Sequence, residues 1–292
     1  MIRPRRSSSL MITWAVVGVV LVLVSVLVGI RVTGTKNGSS SSTNSNSNSV
    51  TRRAPSALLS EATGLNVGAA NAVGVMSPIT SVTPPLKISG QRALTSHGRP
   101  ELLYVGAEFC PFCAAERWPM VVALGRFGTF SQLDITDSAP SPEVFPLTPT
   151  FTFYQSAYSS KFVTFVWVET ETRTHRPLMS MTNAESALVA KYDIEHYLPM
   201  NGSGPGGSIP FLDFGNRFFQ AGASFTPALL TGLSQSTIAK GLDDSTSPVT
   251  EAIVTSANFL TADICALTHE QPTQVCVLSG VKAADRKSGL QW

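Results

Sequence analysis

Cys110 and Cys113 sit where a compact apolar run, Glu101-Leu-Leu-Tyr-Val-Gly-Ala107, gives way to a segment with helical spacing. That junction constrains the fold more than any other feature of the chain. An apolar run of this length is the pattern of a central strand covered on both faces. From Cys110 to Arg126, residues Cys113, Trp118, Val121, Val122 and Leu124 recur at the spacing of one buried helix side, and Gly128 supplies a stop. A helix start offers unpaired N–H groups and the positive end of the helix dipole, and both favour a thiolate. In such a place a thiol drops from about 8.5 to between roughly 3.5 and 7.5. The spacing therefore predicts Cys110 as an exposed nucleophile and Cys113, one turn further in, as the shielded resolving thiol. Pro111 suits the first helical turn, where its missing N–H costs nothing. Phe112 supplies an apolar rim suited to protein substrates.

Other uses of the same spacing meet obstacles. A c-type haem attachment requires His directly after the second cysteine, and Ala114 stands there. A four-cysteine zinc site requires a second close pair, but ten residues separate Cys265 from Cys276, and the lone His269 between them lacks ligand spacing. His97, His175 and His196 are scattered. Neither a metal nor a cofactor is expected. A structural Cys110–Cys113 disulfide in a non-catalytic binding module of the cell envelope stands as the alternative.

The organisation follows from composition. Residues 10–30 carry no charge and are dominated by Val, Leu and Ile. At about 1.5 Å per residue they match the roughly 30 Å hydrocarbon core of a bilayer. Arg3, Arg5 and Arg6 precede the run and favour a cytoplasmic N-terminus. The run is long for a signal peptide and ends without a small-x-small cleavage site, which points to an uncleaved anchor. Residues 31–54 form a Ser/Asn-rich linker, whose Gly/Ser-type coil spans on the order of 20–25 Å. Residues 55–85 read as a poorly defined lead-in with a short helix at 57–63, and 86–284 as the extracytoplasmic domain. The net charge of +2 supplies no basic surface for nucleic acid.

Within the domain, 130–135, 150–154 and 162–168 read as strands. A helix over 182–192 opens on the Thr182/Glu185 capping-box pattern. Residues 209–214 and 217–221 form a hairpin around Gly215-Asn216. Residues 226–242 and 248–267 read as two helices. This order is that of a mixed α/β layer fold.

The segment Tyr104-Val-Gly-Ala-Glu-Phe-Cys-Pro-Phe-Cys-Ala-Ala-Glu-Arg-Trp118 resembles the active-site segment of the thioredoxin superfamily. Its Cys-Pro-Phe-Cys form is closer to extracytoplasmic disulfide oxidoreductases and isomerases than to cytosolic thioredoxin. Ser208-Ile209-Pro210, with the hairpin after it, resembles that superfamily's cis-proline loop. The longer pattern, through Ile-Pro-Phe-Leu-Asp-Phe-Gly-Asn to the two late cysteines, resembles an uncharacterised prokaryotic family known as domain of unknown function 929, over roughly residues 85–280. The resemblance implies a thioredoxin-like mixed sheet flanked by helices, preceded by one transmembrane helix. It implies a cis Ile209–Pro210 peptide, and substrate contacts at Pro111, Phe112, Ile209 and Pro210. The substrates are then thiols or disulfides of exported proteins, with a membrane redox partner to recharge the pair. Residue identities leave the direction of electron flow open.

One departure stands out. Cytosolic thioredoxin carries a buried Asp six residues before its first cysteine as proton acceptor, and here Tyr104 occupies that position. Glu108 and Glu116 are the candidates to transfer the proton instead. Cys265 and Cys276 read first as a structural disulfide, worth on the order of 2–3 kcal/mol. An electron shuttle to Cys110–Cys113 is the alternative.

Overall fold

The structure is a computed structural model that describes residues 51–64, 67–73, 82–192 and 208–287. The expected anchor at 10–30, most of the linker, His196 and the loop at 201–207 lie outside the described residues. Among the described residues no helix is long and apolar enough to cross a membrane.

The apolar run forms β4 (Arg99–Gly106), buried from Leu102 onward. Its neighbours are β7 (Thr164–Glu169), parallel to it, and β8 (Phe211–Phe214), antiparallel. β9 (Phe218–Ala221) and β2 (Leu86–Lys87) extend the sheet beyond β8, while β3 (Thr95–Ser96) pairs with the start of β4. Gly215 and Asn216 turn the β8–β9 hairpin at positive φ, as the sequence pattern predicts. A second antiparallel sheet joins β5 (Gly128–Asp137) to β6 (Pro149–Ser160), with β1 (Arg52–Arg53) on the outer edge of β5.

Parallel strands need a crossover. Between β4 and β7 it runs through α3 (Pro111–Gly125) and the β5–β6 pair. α3 is buried on every side apart from Phe112, not along one stripe, because β6 packs on one side and α6 (Pro248–Leu267) and α1 (Ser56–Thr63) close the others. Trp118 illustrates the packing: its ring meets Phe151 edge-on at 4.7 Å and its Nε1 donates to the Pro149 carbonyl at 2.9 Å. Phe153 lies between Tyr104 and Phe165, with centroids 5.1 and 5.0 Å away.

Two sequence expectations need correction. The fold begins well before Leu86: β1 pairs with β5, Arg53 bridges to Asp134 at 3.0 Å, and Leu58 and Ala62 of α1 are buried in the core. The helix expected over 226–242 is two pieces, a 3-10 turn at Pro227–Leu230 and α5 (Gln235–Gly241), each with its own cap, Thr226 and Ser234, and Gly232 at positive φ between them. After α6 the chain continues through α7 (Thr273–Cys276) and α8 (Ser279–Lys287). The helix at 182–192 is present as α4 (Asn183–Tyr192), and its capping box is closed by Thr182 N–H to Glu185 Oε2 at 2.6 Å and Glu185 N–H to Thr182 Oγ1 at 3.3 Å. The remaining described helix, α2 (Val67–Ala72), packs on α8.

Gly106 has a specific reason to lack a side chain. A Cβ there would lie 2.1 Å from the Tyr104 hydroxyl and 2.5 Å from its Cζ. Tyr104 is fully buried and cannot swing away. Gly106→Ala should therefore lower the unfolding free energy by about 1–3 kcal/mol, the usual cost of overpacking. Urea denaturation checks this, and an unchanged midpoint would show that Tyr104 has another place to go.

Candidate functional site

The end of β4 and the start of α3 bring the predicted cysteines together with groups far away in sequence. Cys110 is the N-cap of α3, and its sulfur accepts the Cys113 N–H at 3.3 Å. Its thiol also points to the carbonyl of Ile209, at 3.8 Å across 99 residues of chain. The Ile209–Pro210 peptide is cis. A hydrogen bond from the Cys113 thiol holds Cys110 below the ordinary thiol range against the opposing effect of burial, with the Cys113 N–H and Arg117 helping. Burial, with the same thiol contact adding to it, pushes Cys113 well up. The pair is thus asymmetric, with Cys110 the easier of the two to deprotonate.

Accessibility departs from the sequence reading. Cys110 is only 5% exposed, because the Ile209–Pro210 segment lies against it. Pro111 and Pro210 are buried as well, so of the four expected substrate contacts only Phe112 and Ile209 present surface. Phe112 is 40% exposed and meets Phe145 edge-on at 5.9 Å. Phe145 belongs to the β5–β6 connection, which is tied to the motif by the Ala139 N–H donating to the Phe109 carbonyl at 2.9 Å. Val144 and Leu147 of that connection are exposed, 75% and 40%. His175, which looked unremarkable in sequence, stacks on Phe109 at 4.1 Å with its Nδ1 3.5 Å from Glu171.

Both candidate proton-transfer residues are buried, and neither hydrogen-bonds to a cysteine sulfur. Glu108 accepts from the Thr152 hydroxyl at 2.7 Å. Glu116 accepts from the Ser224 N–H at 2.6 Å and its hydroxyl at 3.0 Å, and burial pushes it up to about 7.

Sequence reasoning passed over a charge pair that is tied to the turn carrying Cys110. Arg117, one helical turn after Cys113, forks onto Glu169 at the end of β7, with Nε–Oε1 at 2.9 Å and Nη2–Oε2 at 2.6 Å. Both side chains have no exposure. Nη2 also donates to the Ala107 carbonyl at 2.8 Å, and that same carbonyl accepts the Cys110 N–H at 3.3 Å. The guanidinium carbon lies 5.8 Å from the Tyr104 ring centre. Arg117 Nη1 and the Tyr104 hydroxyl have no hydrogen-bond partner among the described residues. A signal was present: Arg117 interrupts the otherwise apolar side of α3 at i+4 from Cys113, and Glu169 closes an apolar strand.

Cys265 and Cys276 are linked at disulfide distance, 1.98 Å, and both are buried between α6 and α7. Burial shields this pair from exchange. Among the described residues no cluster of three or more His, Cys, Asp or Glu is placed to hold a metal ion.

A family model described as Domain of unknown function (DUF929) matches residues 84–266. The chain belongs to this family. No curated protein and no solved structure matches it. The DUF929 region holds Cys110, Cys113, Arg117, Glu169 and the Ile209–Pro210 loop, so the assembled site lies wholly inside it. Of the late cysteines Cys265 falls within the DUF929 match and Cys276 beyond it.

Proposed function

We propose that this DUF929 chain is a thioredoxin-like thiol–disulfide oxidoreductase, tethered to the cell membrane with its N-terminus cytoplasmic, acting outside the cytoplasm on exported proteins. The observation that carries the reading is the meeting of a helix-capping cysteine, held below the ordinary thiol range, with the Ile209 carbonyl 3.8 Å away. A polypeptide laid against that carbonyl would bring its own sulfur to Cys110. The uncharged run at 10–30 and the polar linker support the tether. The rim of Phe112 and Phe145 supports substrates with apolar side chains next to their cysteine.

In the reducing direction the Cys110 thiolate attacks one sulfur of a substrate disulfide. That S–S bond breaks, and the departing substrate sulfur takes a proton. Cys113 then loses its proton and attacks the Cys110 sulfur, which closes the Cys110–Cys113 disulfide and releases the second substrate thiol. Two electrons pass from the dithiol to the substrate. The oxidising direction is the reverse sequence.

Cys110→Ser should reduce turnover to background in a dithiol-oxidation or insulin-reduction assay, and Cys113→Ala should accumulate a mixed disulfide with substrate. Full turnover by Cys110→Ser sinks the proposed nucleophile. A Cys110–Cys113 potential below about −300 mV points instead to a structural staple in a binding module.

A further inference from the structure

Arg117 and Glu169 form an ion pair with no exposure in the core of the domain. Stability alone gives little reason for it. Taking two charges out of water is costly, and well-packed apolar residues of similar volume do as well or better. Its position offers a reason. Arg117 lies at i+4 from Cys113, so the two side chains leave α3 on the same side. The Ala107 carbonyl that takes Arg117 Nη2 also takes the N–H of Cys110. The cation is therefore tied to the turn that carries both sulfurs. Glu169 is anchored on the other side, where Oε1 also accepts the Phe153 N–H at 3.1 Å.

We propose that Arg117 is a positioning residue whose buried charge stabilises the reduced form of the Cys110–Cys113 pair, setting the domain to accept electrons and so to oxidise substrate thiols. This rests on the reading of the pair as one that exchanges. The dithiol can hold a thiolate; the disulfide holds no charge. A fixed cation nearby therefore lowers the free energy of the reduced form alone. A pair whose reduced form is stabilised is the stronger oxidant. Water cannot screen the interaction, because the guanidinium is sealed. The anion of Glu169 opposes the effect, but it is Arg117 that reaches the Ala107 carbonyl in the turn carrying Cys110, whereas Glu169 is held through Oε1 to the Phe153 N–H. Glu169 has a double part: it keeps Arg117 charged in the interior and moderates its field. In the oxidising direction the Cys110–Cys113 disulfide takes two electrons and two protons from two substrate thiols, whose sulfurs join; a disulfide of the membrane partner then accepts the two electrons and two protons, becoming a dithiol, and restores the pair.

The test equilibrates the full-length protein and three variants in glutathione redox buffers. The oxidised fraction of Cys110–Cys113 is read by alkylation and peptide mapping, separately from Cys265–Cys276. Arg117→Met/Glu169→Met, an apolar pair of similar volume, should shift the equilibrium toward the disulfide by about tenfold, equivalent to about 30 mV. Arg117→Gln should shift it the same way. Glu169→Gln, which leaves the cation unopposed, should shift it the opposite way. A folded double variant with the wild-type equilibrium overturns the proposal. So does a Glu169→Gln shift in the same direction as the double variant, since mere loosening of the site gives that result. A wild-type protein that turns over no dithiol or disulfide probe, while its variants shift as stated, upholds the role of Arg117 and removes the enzymatic reading instead.

Discussion

Glu169→Ala, or Arg117→Ala, should lower the unfolding free energy by about 3–5 kcal/mol, whereas Arg117→Met/Glu169→Met should cost much less than either. A single truncation leaves one full charge in a dry interior, and both side chains have no exposure to water. Loss of Glu169 also strips the Phe153 N–H of an acceptor at 3.1 Å, and loss of Arg117 strips the Ala107 carbonyl of one of its two donors, at 2.8 Å. The double replacement removes both charges together and keeps the volume. Against a typical domain stability of about 5–15 kcal/mol, the single losses are large enough to populate unfolded protein. Denaturation followed by circular dichroism checks the ranking. Equal losses in the single and double variants would mean that packing, not charge, makes the pair matter. The redox comparison is made on variants whose fold this measurement has verified.

Raising the pH from 5 to 8 should destabilise the protein. Burial pushes Glu116 from its ordinary 4.5 up to about 7 and Asp213 from 3.8 up to about 7. Asp263 in α6 is driven well up by burial, with Asp285 adding to it. A carboxyl with a raised folded pKa binds its proton more tightly in the folded state than in the unfolded chain. Its stabilisation is complete below the unfolded value, near 4, and is lost as pH rises through the folded value, near 7. At about 1.4 kcal/mol per unit, these shifts bound the contribution at about 3.5 kcal/mol for Glu116 and about 4.5 kcal/mol for Asp213. Urea midpoints at pH 5, 6, 7 and 8 should therefore fall, and Glu116→Gln should flatten the decline. A midpoint that climbs across the range contradicts the assignment of these acids as buried and protonated.

What could be read from the sequence was local. The strand–helix junction at Cys110, the Thr182/Glu185 capping box, the turn at Gly215-Asn216 and the helix over Pro248–Leu267 each depend on residues within a few positions of one another. Backbone geometry and short-range hydrogen bonding decide such features, so the order of residue types specifies them. The break at Gly232 was also local, and two capping residues, Thr226 and Ser234, announced it. Tertiary structure alone decided what surrounds the cysteines. Ile209 comes to Cys110 from 99 residues away, Glu169 to Arg117 from 52, and Ser224 to Glu116 from 108. A charged residue in a sequence carries no label for burial, since the water it loses and the partner it gains depend on which strands and helices close over it. The Cys-x-x-Cys spacing marked two candidate sulfurs. The Arg117–Glu169 link between α3 and β7 and the approach of Ile209 to Cys110 determined what surrounds them.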